Sequence, residues 1–157
     1  MFDLIAAVSS SIVAIIAIVG AIYGYKQVKE ARKARLLGPF FEMDRRLHEQ
    51  REERGKLYAS YGKQQNTNEW QKLFEKVAVN FDVLGALVRE DMIYKPIVFK
   101  IYYDVIIKTW DVVMAHIETE VNRGSKAKSY MADFRFLYNE AEAYVSKNGL
   151  ERPRVFV

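Results

Sequence analysis

From Leu4 to Tyr23 the chain runs 20 residues without one Asp, Glu, Lys, Arg or His. At about 1.5 Å rise per residue, a helix of that length spans about 30 Å, the hydrocarbon thickness of a bilayer. The run has no polar face with which to lie half-buried on a globular core. It therefore predicts a transmembrane helix over residues 1–25. A cleavable signal peptide, cut at Val19-Gly20-Ala21, is the rival reading. Such peptides open on positive charge and carry an apolar core of about 7–15 residues. Here the leading segment holds Asp3 and no Lys or Arg.

The flanks set the expected orientation. Lys26, Lys29, Arg32, Lys33 and Arg35 stand against a single acid, Glu30, and make residues 26–38 a basic stalk. The positive-inside rule places the side that follows in the cytoplasm and the amino terminus outside. The expected location is a bacterial inner membrane, crossed once. Tyr23 and Tyr25 fall where an interfacial aromatic belt sits, and the five cations face anionic headgroups, each contributing up to about 1 kcal/mol. No base-reading motif accompanies them, so duplex DNA is not the expected partner.

Ala7, Ser10, Ala14, Ala17, Ala21 and Gly24 recur at alternating steps of three and four, and all six are small. In lipid, helices associate through close van der Waals approach, which small side chains permit. The stripe predicts a parallel homo-oligomer with a left-handed crossing near ~20°. Gly20 and Gly24 also form a GxxxG pair, which favours a right-handed dimer instead. Ser9, Ser10 and Ser11 are the polar residues of the span, too few to line a wet pore.

Residues 39–157 predict one helical domain. Gly38-Pro39 is expected to end the first helix, because Pro cannot continue the hydrogen-bond ladder and disfavours helical geometry in the residue before it. A charged helix is expected over residues 40–61, with Met43, Leu47, Leu57 and Tyr61 as a thin apolar stripe. Thr67 or Asn68 caps a helix from Glu69 to about Glu90, in which Trp70, Leu73, Phe74, Val77, Phe81, Leu84 and Val88 keep helical spacing. Pro96 opens a third helix. Its apolar positions Phe99, Tyr103, Ile106, Trp110, Val113 and Ile117 mark it as central. A last helix carries Tyr130, Phe134, Leu137, Ala141 and Tyr144 and stops near Asn148-Gly149. The fold class is all-α: a membrane helix, a stalk and a small antiparallel bundle.

Composition narrows the chemistry. There is no cysteine, so neither disulfides nor thiolate metal sites are available. No phosphate-binding loop, serine-hydrolase elbow, zinc motif or dinucleotide turn occurs. Asp82, Glu90, Asp91, Asp104 and Asp111 lie on or beside bundle helices without the Glu-x-x-His pairs of carboxylate metal sites. The expectation is a non-enzymatic protein without metal or cofactor. From residue 57 onward there are 14 Lys and Arg against 13 Asp and Glu, so the basic balance of the chain belongs to the stalk. Arg45, Arg46, Arg51, Arg54 and Lys56 interleave with five acids and read as a solvated helix face held by i,i+4 pairs.

One segment invites an anion. Arg123, Ser125, Lys126 and Lys128 gather cations, a hydroxyl and the permissive Gly124 around an expected helix start, where free N–H groups favour phosphate. A serine cap with exposed lysines is the plainer reading.

The run from Val79 to Val88, then Asp91-Met92-Ile93 and Trp110-Asp111, resembles a bacterial membrane-anchored helical family of unknown function. That resemblance implies one amino-terminal membrane helix, a basic stalk and a small cytoplasmic domain. It carries over Phe81, Leu84 and Trp110 as packing positions; where the family has a second aromatic, this chain has Asn80. In layout alone the chain is also similar to type III CRISPR-associated membrane effectors, which bind cyclic oligoadenylate. That likeness implies an oligomeric effector in antiviral defence whose helical domain binds an anionic nucleotide messenger and acts on the membrane. A membrane-tethered scaffold or partner-binding protein is the alternative.

Overall fold

The structure, a computed structural model, describes residues 2–62, 67–124, 126–127 and 129–155, with side chains described from residue 20 onward. Five helices and no strand occur among the described residues: α1 (Phe2–Glu49), α2 (Arg51–Ala59), α3 (Asn68–Arg89), α4 (Lys95–Asn122) and α5 (Ala132–Lys147). The all-α class is as the sequence implies. The chain divides into two compact units, Met1–Leu36 and Leu37–Val157. Among the described residues no helix is long and apolar enough to cross a membrane. Most of the Leu4–Tyr23 run lies outside the described side chains.

Two expected boundaries need correction. Pro39 does not end the first helix; it lies inside α1. Part of the penalty on the residue before a proline comes from its Cβ, and Gly38 has none. Phe40, Met43 and Leu47 then hold the continuing helix, all three being buried. The break comes eleven residues later, at Gln50 (φ −93°, ψ 13°), which divides the expected 40–61 helix into the end of α1 and α2. It is shallow: the Gln50 N–H still reaches the Arg46 carbonyl at 3.2 Å, and the Arg54 N–H reaches Gln50 at 2.9 Å.

The helix ends of the second unit follow their residues. Thr67 caps α3, its hydroxyl accepting the Trp70 N–H at 3.2 Å. Pro96 occupies the first turn of α4, where its missing N–H removes no helical bond. α5 closes with Gly149 at φ 61°, and the Leu150 N–H returns to the Val145 carbonyl at 3.0 Å. That is the six-to-one bond of a Schellman cap. α3 closes the same way through Asp91, at φ 52°, with Met92 bonded to Leu87 at 2.9 Å.

α4 is central, with residues such as Val98, Ile106, Ile107, Val113 and Ile117 almost wholly buried. Aromatic contacts give its direction against α5. Trp110 meets Phe134 at 5.1 Å and Tyr138 at 5.4 Å, whereas Phe99 and Tyr103 meet Tyr144 at 6.2 and 5.8 Å. Descending α4 while ascending α5 makes the pair antiparallel. α2 and α3 are antiparallel too, since Glu53 pairs with Lys76 at 2.5 Å while Ser60 meets Trp70 at 2.9 Å. Each fully buried Leu, Ile or Phe in this core contributes roughly 1.5–3 kcal/mol relative to exposure.

α5 has no side-chain cap of its own; Met131, at φ 54°, precedes it. α3 supplies what is missing. The Asp82 carboxylate accepts the Phe134 N–H at 2.9 Å, Arg89 pairs with Asp133 at 2.7 Å, and Gly85 lies against the Asp133 backbone. These three positions share one face of α3 and fix where α5 begins.

Candidate functional site

The unit Met1–Leu36 presents the first candidate surface. Ile22, Tyr23, Tyr25 and Val28 are all exposed, an unusual load of large apolar side chains on one short stretch. Lys26, Lys29, Arg32 and Arg35 are exposed among and after them, and Lys33 is half-buried. Glu30 engages Lys33 at 3.5 Å. Of the small-residue stripe, Ala21 and Gly24 are exposed, and a Cβ built on Gly24 would have nothing within 4 Å. The side chains of Ala7, Ser10, Ala14 and Ala17 lie outside the described residues.

The expected anion segment is placed differently from its sequence reading. α5 starts at Ala132, so Arg123 and Lys126 stand at the carboxyl end of α4 and not at a helix start. Carbonyls crowd such an end and its partial charge is negative, which opposes an anion. The Lys126 N–H donates to the Glu120 carbonyl at 3.3 Å, and the Lys126 ammonium lies 5.2 Å from the Tyr130 ring centre. Arg123 lies 3.9 Å from the Glu120 carboxylate. Ser125 and Lys128 lie outside the described residues.

The acids of the bundle have structural duties. Asp82 caps α5, Asp91 pairs with Lys95 at 2.9 Å, Asp104 with Lys108 at 3.5 Å, and Asp111 with Arg152 at 2.8 Å. Arg152 also reaches Glu142 at 2.7 Å, tying the tail to both α4 and α5. Among the described residues no three His, Asp or Glu side chains are gathered to hold a metal ion. His116 lies edge-on to Trp70 and Phe74, at 4.8 and 4.7 Å. Burial pushes its imidazole below the usual range, Glu120 opposes that shift, and Arg123 adds to it.

The basic group of residues 45–56 is as expected in part. Arg45, Arg46 and Lys56 form i,i+3 or i,i+4 pairs with Glu42, Glu49 and Glu52. Arg54 is the correction: it is 8% exposed, and its guanidinium donates to the Leu47 carbonyl. The last turn of α1 leaves carbonyls without helical donors, and Arg54 covers one of them. Burial also lowers the pKa of the guanidinium from its ordinary value.

Gln50 is likewise interior, at 9% exposure, and its amide donates to the Lys76 carbonyl at 2.8 Å. Its Oε1, like Glu53 Oε2, is buried without a hydrogen-bond partner. Gln50 floors an open cleft of about 400 Å3 lined by Arg45, Arg46, Glu49, Lys76 and Asn80. A single ordered water is enough to satisfy such an acceptor.

Sequence reasoning missed both residues, although the signal was present. Phe40, Met43, Leu47, Gln50, Arg54 and Leu57 keep one 3-4 spacing and therefore one helix face. All six are buried. Comparison with family models, curated proteins and solved structures finds no match for the chain.

Proposed function

We propose that the protein is a non-catalytic, membrane-tethered partner-binding module, anchored by the Leu4–Tyr23 helix with the Leu37–Val157 unit on the cytoplasmic side of a bacterial inner membrane. The observation that carries this reading is the succession along α1. A charge-free apolar run ends in exposed Ile22, Tyr23 and Tyr25, and an exposed cationic stretch that includes the exposed Val28 follows at once. Water penalises that apolar surface, whereas a bilayer and its interface accept both halves of it. Two buried polar side chains of the bundle fit the scaffold half of the reading: Arg54 serves a helix end at Leu47, and Thr109 a helix contact with Tyr58 at 2.8 Å. The exposed Ala21 and Gly24 leave a thin face on α1, which suits self-association in lipid.

The anchor is tested by washing membranes with alkaline carbonate and by adding protease to spheroplasts. Retention of the chain, with residues 37–157 protected until lysis, is expected. Release by carbonate, or trimming from outside, refutes the anchor or its direction.

A messenger-gated effector is the second reading, favoured by the exposure of Arg123 and Lys126 within four residues of each other. Calorimetric titration of the full chain in detergent with cyclic oligoadenylate decides it. Saturable heat that disappears in Lys126→Glu establishes the effector; no heat leaves the scaffold.

A further inference from the structure

Ala21, Ile22, Tyr25, Lys26 and Lys29 line an open groove of about 510 Å3 on α1, with a wall almost wholly of carbon. At about 100° per residue, positions 22, 25, 26 and 29 fall within an arc of roughly 100°, so they form one continuous strip. The strip is ordered along the axis. Its early end is apolar, Tyr25 stands in the middle, and Lys26 and Lys29 come at the far end within about 12 Å, their stems lining the wall. Gly24 lies about 160° around the helix from Ile22, and Ala21 borders both the groove and the thin face.

We infer that this groove is a binding site for one anionic phospholipid. The acyl chain lies along Ala21 and Ile22, the phosphate sits between Lys26 and Lys29, and the Tyr25 ring flanks the headgroup. The inference rests on the membrane-anchor reading and adds to it a site of defined composition.

Charge complementarity selects the occupant. Lys26 and Lys29 are i,i+3 neighbours, so their like charges repel unless an anion comes between them. Glu30 is the acid nearest in sequence, and it is engaged by Lys33 at 3.5 Å. Among the described residues no carboxylate pairs with Lys26 or Lys29, and both are exposed, so they are open to an anion. The occupant must also cover carbon, because Ile22 is 53% and Tyr25 72% exposed. A phosphate bearing an acyl chain meets both demands; a zwitterionic lipid meets the first poorly, since its own cation competes with the lysines. Arg32 and Arg35 carry the same charge but do not line the groove. The site therefore predicts that two cations of the five act as a pair.

The test uses the full chain reconstituted in phosphatidylcholine vesicles, with spin-labelled phosphatidylglycerol and phosphatidylcholine compared by electron spin resonance. The wild type is expected to prefer phosphatidylglycerol by about fivefold or more. Lys26→Gln with Lys29→Gln should abolish the preference, and Arg32→Gln with Arg35→Gln should preserve most of it. Equal losses in the two double variants, or no preference in a wild type that carbonate leaves in the vesicles, overturn the site while leaving the anchor intact. Release by carbonate overturns both. Efficient disulfide formation between copies of Ile22→Cys would place a second chain in the groove and also overturn the proposal.

Discussion

The Asp82 carboxylate on α3 accepts the backbone N–H of Phe134 at 2.9 Å, so one helix supplies the cap that another lacks. The rings beside this bond reinforce it: Phe81 and Phe134 stack at 5.0 Å, both fully buried. The start of α5 is thus set by a residue some fifty positions earlier.

Replacing Asp82 by Ala should cost about 1–2 kcal/mol, the usual loss of an N-terminal cap. Asp82→Asn keeps an acceptor and should cost less. Urea titrations of the two variants beside the wild type measure the difference. Equal stability of Asp82→Ala and wild type would remove the capping role.

Gly85→Ala should destabilise by about 1–3 kcal/mol or more, because a Cβ there overlaps the Asp133 carbonyl. The obstacle is backbone, which cannot rotate aside as a side chain would. Gly55→Ala serves as the control, since a Cβ at Gly55 has nothing within 4 Å. By helix propensity that change should stabilise by up to about 1 kcal/mol. Thermal melts of both variants should move in opposite directions.

Much of this second unit was legible because its signals are local. Thr67, Pro96 and Gly149 set helix ends through their own backbone chemistry, and the apolar spacing of Trp70 to Val88 chose the buried face of α3. Where tertiary context decides, legibility failed. Pro39 reads as a stop until Gly38 and the buried Phe40, Met43 and Leu47 are weighed together. Arg54 reads as solvated because its charge suggests water, although its spacing assigns it to the buried face. The anion segment was read against a helix start that begins only at Ala132, since Asp82 rather than any serine provides the cap. The exposed groups of residues 20–35 were legible as topology, but the split of their cations between groove and non-groove positions follows from the surface that α1 presents.

Arg54→Ala should cost about 1–3 kcal/mol by stranding the Leu47 carbonyl. Arg54→Met retains the packing of the stem and separates the two contributions. Chemical denaturation of both variants is the measurement. If Arg54→Met matches wild type, the guanidinium bond contributes nothing.

Acid should weaken the protein in two stages. Burial against Trp70 and Phe74 holds the folded His116 pKa below its ordinary value of 6.5. The unfolded chain therefore binds the proton first, and stability falls as pH drops through about 6.5. Glu42 and Glu53 have pKa values lowered from the ordinary 4.5, chiefly by Arg46 and by Lys76 respectively. Their contribution is present above that value and is lost as pH falls through the folded-state pKa. His116→Phe should flatten the first stage and leave the second. Melting temperatures taken from pH 8 to pH 3 test this, and an unchanged upper stage in His116→Phe would assign it to another group.

Arg152 forks onto Asp111 of α4 and Glu142 of α5 from the last described stretch of chain. This stretch is consequently a buckle across α4 and α5, and removing it would take away a tie shared by two neighbouring helices. A protein shortened at Leu150 and one shortened at Val155 should differ in melting cooperativity far more than five residues would ordinarily warrant.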